Sequence, residues 1–297
     1  MGCLMTLVDV MNLFDTDEKC REVLCRLRWP NAPECPRCHG PVAELATAKQ
    51  LFYCKDCDYQ FTVTAGTIFN DSHLSLSKWF IATLLMCESR KGHSANQMKR
   101  ELGVSYKTAW YLCHRIRRAM LQADRPMLDG TVEIDETYIG GYHKGHRGKF
   151  DNKQVVFGIR QRNGELRFIH ASDARAKTAR VIIGANLSED VEVIITDESS
   201  IYPSALNKEQ NKHHHSVNHS AEEYVRGDIH TNTVESAFSL LKRGIVGTWH
   251  RISAKHLQAY LDEMCFRFDR RKSHTLFLDT LRHMVTADPL TFESLTA

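Results

Sequence analysis

Two cysteine pairs, Cys35-Pro-Arg-Cys38 and Cys54-Lys-Asp-Cys57, stand fifteen residues apart, and no other feature restricts the fold of its surroundings as tightly. Each Cys-x-x-Cys turn aims consecutive backbone amides at sulfur, and two such turns close a tetrahedral Zn²⁺ site. Gly40 supports a tight turn after the first pair. Leu51-Phe-Tyr53 between the pairs reads as strand, so the spacing predicts a zinc ribbon holding structural Zn²⁺ on Cys35, Cys38, Cys54 and Cys57. A lone pair would read as a redox motif, and the second pair argues against it. The chain has ten cysteines, and Cys3, Cys20, Cys25, Cys87, Cys113 and Cys265 have apolar flanks that predict buried thiols. Arg37 and Lys55 lie inside the knuckles and are candidate nucleic-acid contacts.

The length of 297 residues leaves room for two or three domains. A net charge of +3 points to no polyanionic partner, but the basic residues are unevenly spread. From Ser89 to Pro126 nine Lys and Arg stand against two acidic residues, and from Lys242 to Lys272 eight stand against three. Both stretches predict phosphate-facing surface. No cleavable leader is apparent, and no apolar run approaches the roughly 20 residues that cross a bilayer, so a cytoplasmic protein without membrane contact is expected.

Helical periodicity begins at Ser75, with Leu76, Trp79, Phe80, Thr83, Leu84 and Cys87 as its buried stripe and Ser75 or Ser77 as cap. A second pattern runs from Ser94 through Met98 and Leu102 to Gly103. A third starts after Ser105, with Ala109, Leu112, Ile116 and Ala119 inward. Helix, glycine turn and helix is the helix-turn-helix pattern, whose second helix would offer Ser105, Tyr106, Lys107 and Thr108 to the major groove. Lys107 and Arg115 are the candidate DNA contacts there.

After Pro126 the pattern turns to strands at Thr131–Ile139, 154–161 and 166–171, then a helix near 174–187, a strand at 191–196 and a long helix from Asn232. This order predicts an α/β domain with a mixed sheet. Asp135 and Asp197 each stand in or at the end of a strand, and Glu235 opens the helix. Hard oxygen ligands drawn from separate elements suit Mg²⁺ or Mn²⁺ and phosphoryl transfer. Glu133 shares the strand face of Asp135, whereas Glu136 points to the opposite face and reads as structural or surface. The glycine-rich loop 140–149 carries Lys144, Arg147 and Lys149, which would track phosphates. His213-His-His215 cannot all face one ion on a strand. No Gly-x-x-x-x-Gly-Lys-Ser/Thr loop occurs, so no nucleotide cofactor is expected.

Arg28-Trp-Pro30 before the first knuckle, Asp135-Glu-Thr-Tyr-Ile-Gly-Gly141, His230-Thr-Asn-Thr-Val-Glu235, Leu240-Leu-Lys-Arg-Gly-Ile245 and Gly247-Thr-Trp-His250 together carry a resemblance. The chain resembles the bacterial insertion-sequence transposases of the DDE type, in the ISXO-like group. The resemblance implies a multi-domain α/β protein: N-terminal helix and zinc ribbon (1–70), helix-turn-helix segment (71–125), ribonuclease-H-like catalytic domain with a mixed sheet (126–285) and a short tail (286–297). It implies Asp135, Asp197 and Glu235 as divalent-metal ligands, with Asn232 as the alternative third ligand. Lys242, seven residues after Glu235, would contact terminal DNA phosphate, and Arg243 lies beside it. The implied partners are terminal inverted repeats and target DNA, engaged by a homo-oligomer in the nucleoid, with strand cleavage and strand transfer as the activity. A DNA-binding regulator derived from an inactive transposase, or a metal-dependent DNA nuclease, would use parts of the same sequence.

Overall fold

The computed structural model describes residues 5–45, 50–121, 125–140, 153–217 and 228–297. The chain forms two compact units, one from residues 1–121 and 270–297, the other from 122–269.

The first unit holds helices α1 (Leu7–Leu13) and α2 (Asp17–Arg28), the ribbon strands β1 (Val42–Leu45), β2 (Leu51–Cys54) and β3 (Gln60–Phe61), helices α3 (Leu76–Glu88), α4 (Ala95–Leu102) and α5 (Tyr106–Met120), and, from the end of the chain, α11 (Leu276–Thr286) and α12 (Phe292–Thr296). The ribbon is antiparallel in the order β1-β2-β3. Trp29 closes its apolar side by edge contacts with Phe52 and Phe61. The α3 stripe expected from the sequence is buried throughout. Ser75 stands at its N-cap position without a side-chain cap bond. Asp17 supplies the cap from α2, accepting from the N–H groups of Leu76 (2.9 Å) and Ser77 (3.4 Å). α4 ends at Gly103, whose φ of +63° turns the chain, and Ser105 caps α5 by accepting from the Thr108 N–H. α11 packs on α2, α3 and α5, so the boundary expected at 285 falls elsewhere. Phe277 meets Phe14 and Phe80, and Met284 is fully buried. That apolar face needs the first unit's core, and it draws the chain end into it.

The second unit is a five-stranded sheet in the order β6-β5-β4-β7-β8. β4 (Leu128–Ile139), β5 (Gln154–Gln161) and β6 (Leu166–Ala171) form an antiparallel meander; β7 (Leu187–Asp197) and β8 (His214–Val217) add parallel to β4. α6 (Ala176–Gly184) makes the crossover from β6 to β7, and the short helices α7 (Ile201–Ala205) and α8 (Lys208–Lys212) follow. Alternation along the strands sends Val132, Ile134 and Phe157 to a core shared with Ile183 and Tyr202. It sends Val156 and Phe168 to the other face, against Val234, Phe238 and Leu241 of α9 (Asn232–Gly244) and Leu261 and Met264 of α10 (Ala254–Asp269). A π-helical turn, Ile245–Trp249, follows α9. Gly158 sets how closely α9 approaches the sheet. A Cβ there would lie 2.6 Å from Phe238 and 2.8 Å from Val234.

Among the described residues, no helix is long and apolar enough to cross a membrane.

Candidate active site and zinc centre

The four ribbon sulfurs lie within 4.8 Å of one another. Cys35–Cys57, Cys38–Cys54 and Cys38–Cys57 are 3.6, 3.4 and 3.5 Å apart. Zn–S bonds of about 2.3 Å in a tetrahedron require sulfur separations of about 3.8 Å, so the sulfur cage fits Zn²⁺ with minor expansion. The Arg37 amide donates to Cys35 Sγ. The tight turn expected at Gly40 takes its positive φ at His39 and, in the second knuckle, at Asp58. Gly40 instead makes room for Asp56, whose carboxylate would collide with a Cβ.

Glu133, Asp135, Asp197 and Glu235 gather on the α9 side of the sheet. Glu133 pairs with Ile195 across the parallel β4/β7 ladder. Asp135 and Asp197 each stand two residues further along, which puts them level on neighbouring strands about 4.8 Å apart and on one face. Asp135 also pairs with Gly158, over which α9 rides. Burial first, then the charges of Glu136, Asp197 and Glu235, push the Asp135 carboxyl up to about 7, against a lowering hydrogen bond from the Glu136 N–H (2.8 Å). Asp197 accepts from the Ser199 N–H at 3.1 Å, which fixes the turn leaving β7. Glu235, half-buried in the first turn of α9, accepts from the Thr231 hydroxyl at 2.6 Å. Asn232 is exposed at the first position of the helix. A half-buried cluster of repelling carboxylates with hard oxygen donors fits a divalent cation. Among the described residues, however, the cysteine tetrad is the one group of three or more His, Cys, Asp or Glu side chains already drawn together closely enough to share an ion.

Lys242 is exposed on α9. Seven residues past Glu235, it lies on nearly the same helix face about 10 Å along the axis. Glu136 does face the opposite side, where burial raises its pKa and the Tyr202 hydroxyl donates to it. It is therefore structural rather than surface.

The candidate DNA contacts divide. Arg37 is exposed and stacks its guanidinium on Tyr59, 3.6 Å from the ring centre, and Lys55 is exposed. Lys107 is exposed at the start of α5, its ammonium 4.3 Å from the Phe292 ring centre. Arg243 is exposed and donates to the Ser239 carbonyl. Arg115 is a correction: it is 3% exposed, donates to the Asn70 carbonyl at 2.5 Å and lies against Trp79 and Tyr111, so packing occupies it. Arg117 and Arg267 are buried too, and the basic stretches present less charge than their counts imply. Lys144, Arg147 and Lys149 lie outside the described residues, as does Cys3.

Strand alternation alone puts Glu133 on the face of Asp135 without giving it a part. Glu133 is fully buried and accepts from Arg162 and from the first turn of α9. The signal was an acidic residue at an inward strand position.

A cysteine-tetrad ribbon ahead of a mixed-sheet unit with carboxylates level on adjacent strands defines a class of modular zinc-ribbon proteins. The ISXO2-like transposase domain matches residues 127–269, and the transposase zinc-ribbon domain matches residues 15–60. An uncharacterized protein in transposable element ISH50 of Halobacterium salinarum is 34% identical over 269 residues, covering 84% of this chain and 89% of that protein. The chain belongs to the ISXO2-like transposase family. The crystal structure of the Mos1 Strand Transfer Complex aligns with 69% of this chain and 74% of that chain, at 11% identity and a TM-score of 0.30, too loosely to carry an argument.

Proposed function

We propose that this transposase binds the terminal inverted repeats of its insertion sequence, then cleaves DNA strands and joins them to a target at one divalent-metal site. The observation that carries the reading is the level placement of Asp135 and Asp197 on adjacent parallel strands, with Glu235 charged close enough to raise Asp135. The 3-2-1-4-5 sheet order, counting its strands along the chain, with a crossover helix on one face and α9 on the other, supports a ribonuclease-H-like catalytic domain.

Asp135, Asp197 and Glu235 would hold Mg²⁺ or Mn²⁺, which when bound activates the attacking oxygen and stabilises the leaving one. Glu235 is preferred over Asn232 because a charged oxygen binds a hard cation more strongly than a neutral one. The chain's own contribution is alignment. Neighbouring strands fix two carboxylates, Gly158 admits α9 close to them, and α9 brings Glu235 and then Lys242, whose ammonium suits a terminal phosphate. The ribbon, through Arg37 and Lys55, and α4–α5 as a helix-turn-helix, through Lys107, would grip the terminal repeat. Two ends brought together imply a homo-oligomer on DNA, acting in the nucleoid.

The test is cleavage and joining of a labelled DNA carrying the element's end, with Mg²⁺ or Mn²⁺, for wild type, Asp135→Ala and Asp197→Ala. Joined product that vanishes in both variants is the expected result. Binding unaffected by either variant and without metal-dependent cutting would make the protein a DNA-binding regulator, and cutting without joining would make it a nuclease.

A further inference from the structure

α9 lacks a local cap. Thr231, at its N-cap position, makes no side-chain cap bond and gives its hydroxyl to Glu235 instead. The first-turn amides of Thr233 and Val234, which have no acceptor within the helix, are satisfied from β4. Glu133 Oε2 accepts from the Thr233 N–H (2.9 Å), the Val234 N–H (3.1 Å) and the Thr233 hydroxyl (2.7 Å). Glu133 Oε1 accepts from Arg162 Nε at 2.8 Å and lies 3.4 Å from His230 Nδ1. Arg162 in turn donates to the carbonyls of Asp228 (2.6 Å) and His230 (3.1 Å), so it ties the segment entering α9 to the same carboxylate. Its own N–H donates to Thr131 on β4.

We propose that Glu133 is a positioning residue: a cap lent by the strand of Asp135 to the helix of Glu235, with Arg162 as its clamp, which sets the separation of those two carboxylates before any metal binds. The inference rests on the reading of Asp135 and Glu235 as metal ligands. Three features support it over a ligand role for Glu133 itself. The side chain is fully buried, both its oxygens are committed to donors, and the donors to Oε2 belong to the one helix whose register determines where Glu235 points, while Arg162 holds Oε1. A buried carboxylate at a helix N-terminus is also favoured by the helix dipole, so charge and geometry hold the same joint. Glutamine at this position offers one acceptor oxygen and turns an N–H₂ group toward donors.

The experiment compares wild type, Glu133→Gln and Glu133→Asp in the full chain with zinc bound. Hydrogen exchange of the Thr233 and Val234 amides, measured without Mg²⁺ or DNA, is expected to rise about tenfold in Glu133→Gln. End-DNA affinity should hold, the Mg²⁺ concentration for half-maximal cleavage should rise, and the rate should fall about 10- to 100-fold, with part of the loss recovered by Glu133→Asp. Unchanged exchange and unchanged Mg²⁺ dependence in a folded Glu133→Gln protein would overturn the proposal. So would loss of Mg²⁺ binding as complete as in Asp135→Asn, because Glu133 would then be a ligand. If Glu133→Gln does not fold, Glu133→Asp decides: it keeps the charge but shortens the reach to the Thr233 and Val234 amides, and faster exchange of those amides supports the cap while no change overturns it. Asp135→Asn and Glu235→Gln run alongside. Cleavage surviving in them sinks the metal-ligand reading, whereas the exchange result, taken without metal, judges the cap alone.

Discussion

Burial and three neighbouring carboxylates raise the Asp135 pKa from an ordinary 3.8 to about 7. A folded-state pKa raised in this way contributes stability that is complete below about pH 4 and is lost as pH rises through 7. Without Mg²⁺ the zinc-loaded protein should therefore melt several degrees lower at pH 8 than at pH 5.5. Mg²⁺ should recover much of the loss at pH 8, and Asp135→Asn should flatten the profile; melting curves across that range check this. Gly158→Ala inserts a methyl where Phe238 and Val234 already sit, so it should cost about 1–3 kcal/mol and push α9 outward, lowering cleavage more than end binding. Denaturant titration beside a cleavage assay separates the two effects. Asp135, Asp197 and Glu235 are readable as candidates because each stands in or beside a periodic run. The role of Glu133 was not, since its partners Thr233 and Val234 lie about a hundred residues away and leave no local spacing to read.

Helices α3 and α9 share a device: each begins without a side-chain cap bond from its own N-cap residue and receives a carboxylate from another element, Asp17 for one and Glu133 for the other. Element positions were largely readable from hydrophobic period, as the buried stripes of α3 and α5 and the strands β4 to β6 illustrate. The capping partners were not, because a tertiary cap belongs to packing. Charge was the poorer guide on α5. Arg115 and Arg117 face inward while Lys107 and Arg118 face out, and a count of basic residues makes no such distinction. Arg115→Ala should destabilise the first unit by about 1–3 kcal/mol, by leaving the Asn70 carbonyl unpaired and Trp79 uncovered, and leave the salt dependence of DNA binding intact. Lys107→Ala should barely change the melting temperature and reduce the slope of log K against log salt by about one. Binding titrations at several salt concentrations distinguish the two substitutions.

At the scale of the molecule, the chain builds one unit, inserts residues 122–269 as a second, and returns with α11 to complete the first. The sequence predicted a catalytic domain running to 285, and nothing local to α11 reveals which core its apolar face will join. Each unit has its own core, so Cys54→Ser should release zinc and abolish end binding while amide protection in β4 to β7 persists, a result hydrogen exchange would register. The proposed mechanism requires Asp135 to touch a divalent metal during strand cleavage. A change of ligand tests it most directly, since a thiolate binds Mg²⁺ poorly and accepts softer metals. End cleavage by Asp135→Cys should be lost in Mg²⁺ and return, at least in part, in Mn²⁺, with DNA binding unchanged. Full activity of Asp135→Cys in Mg²⁺ would exclude Asp135 as a metal ligand.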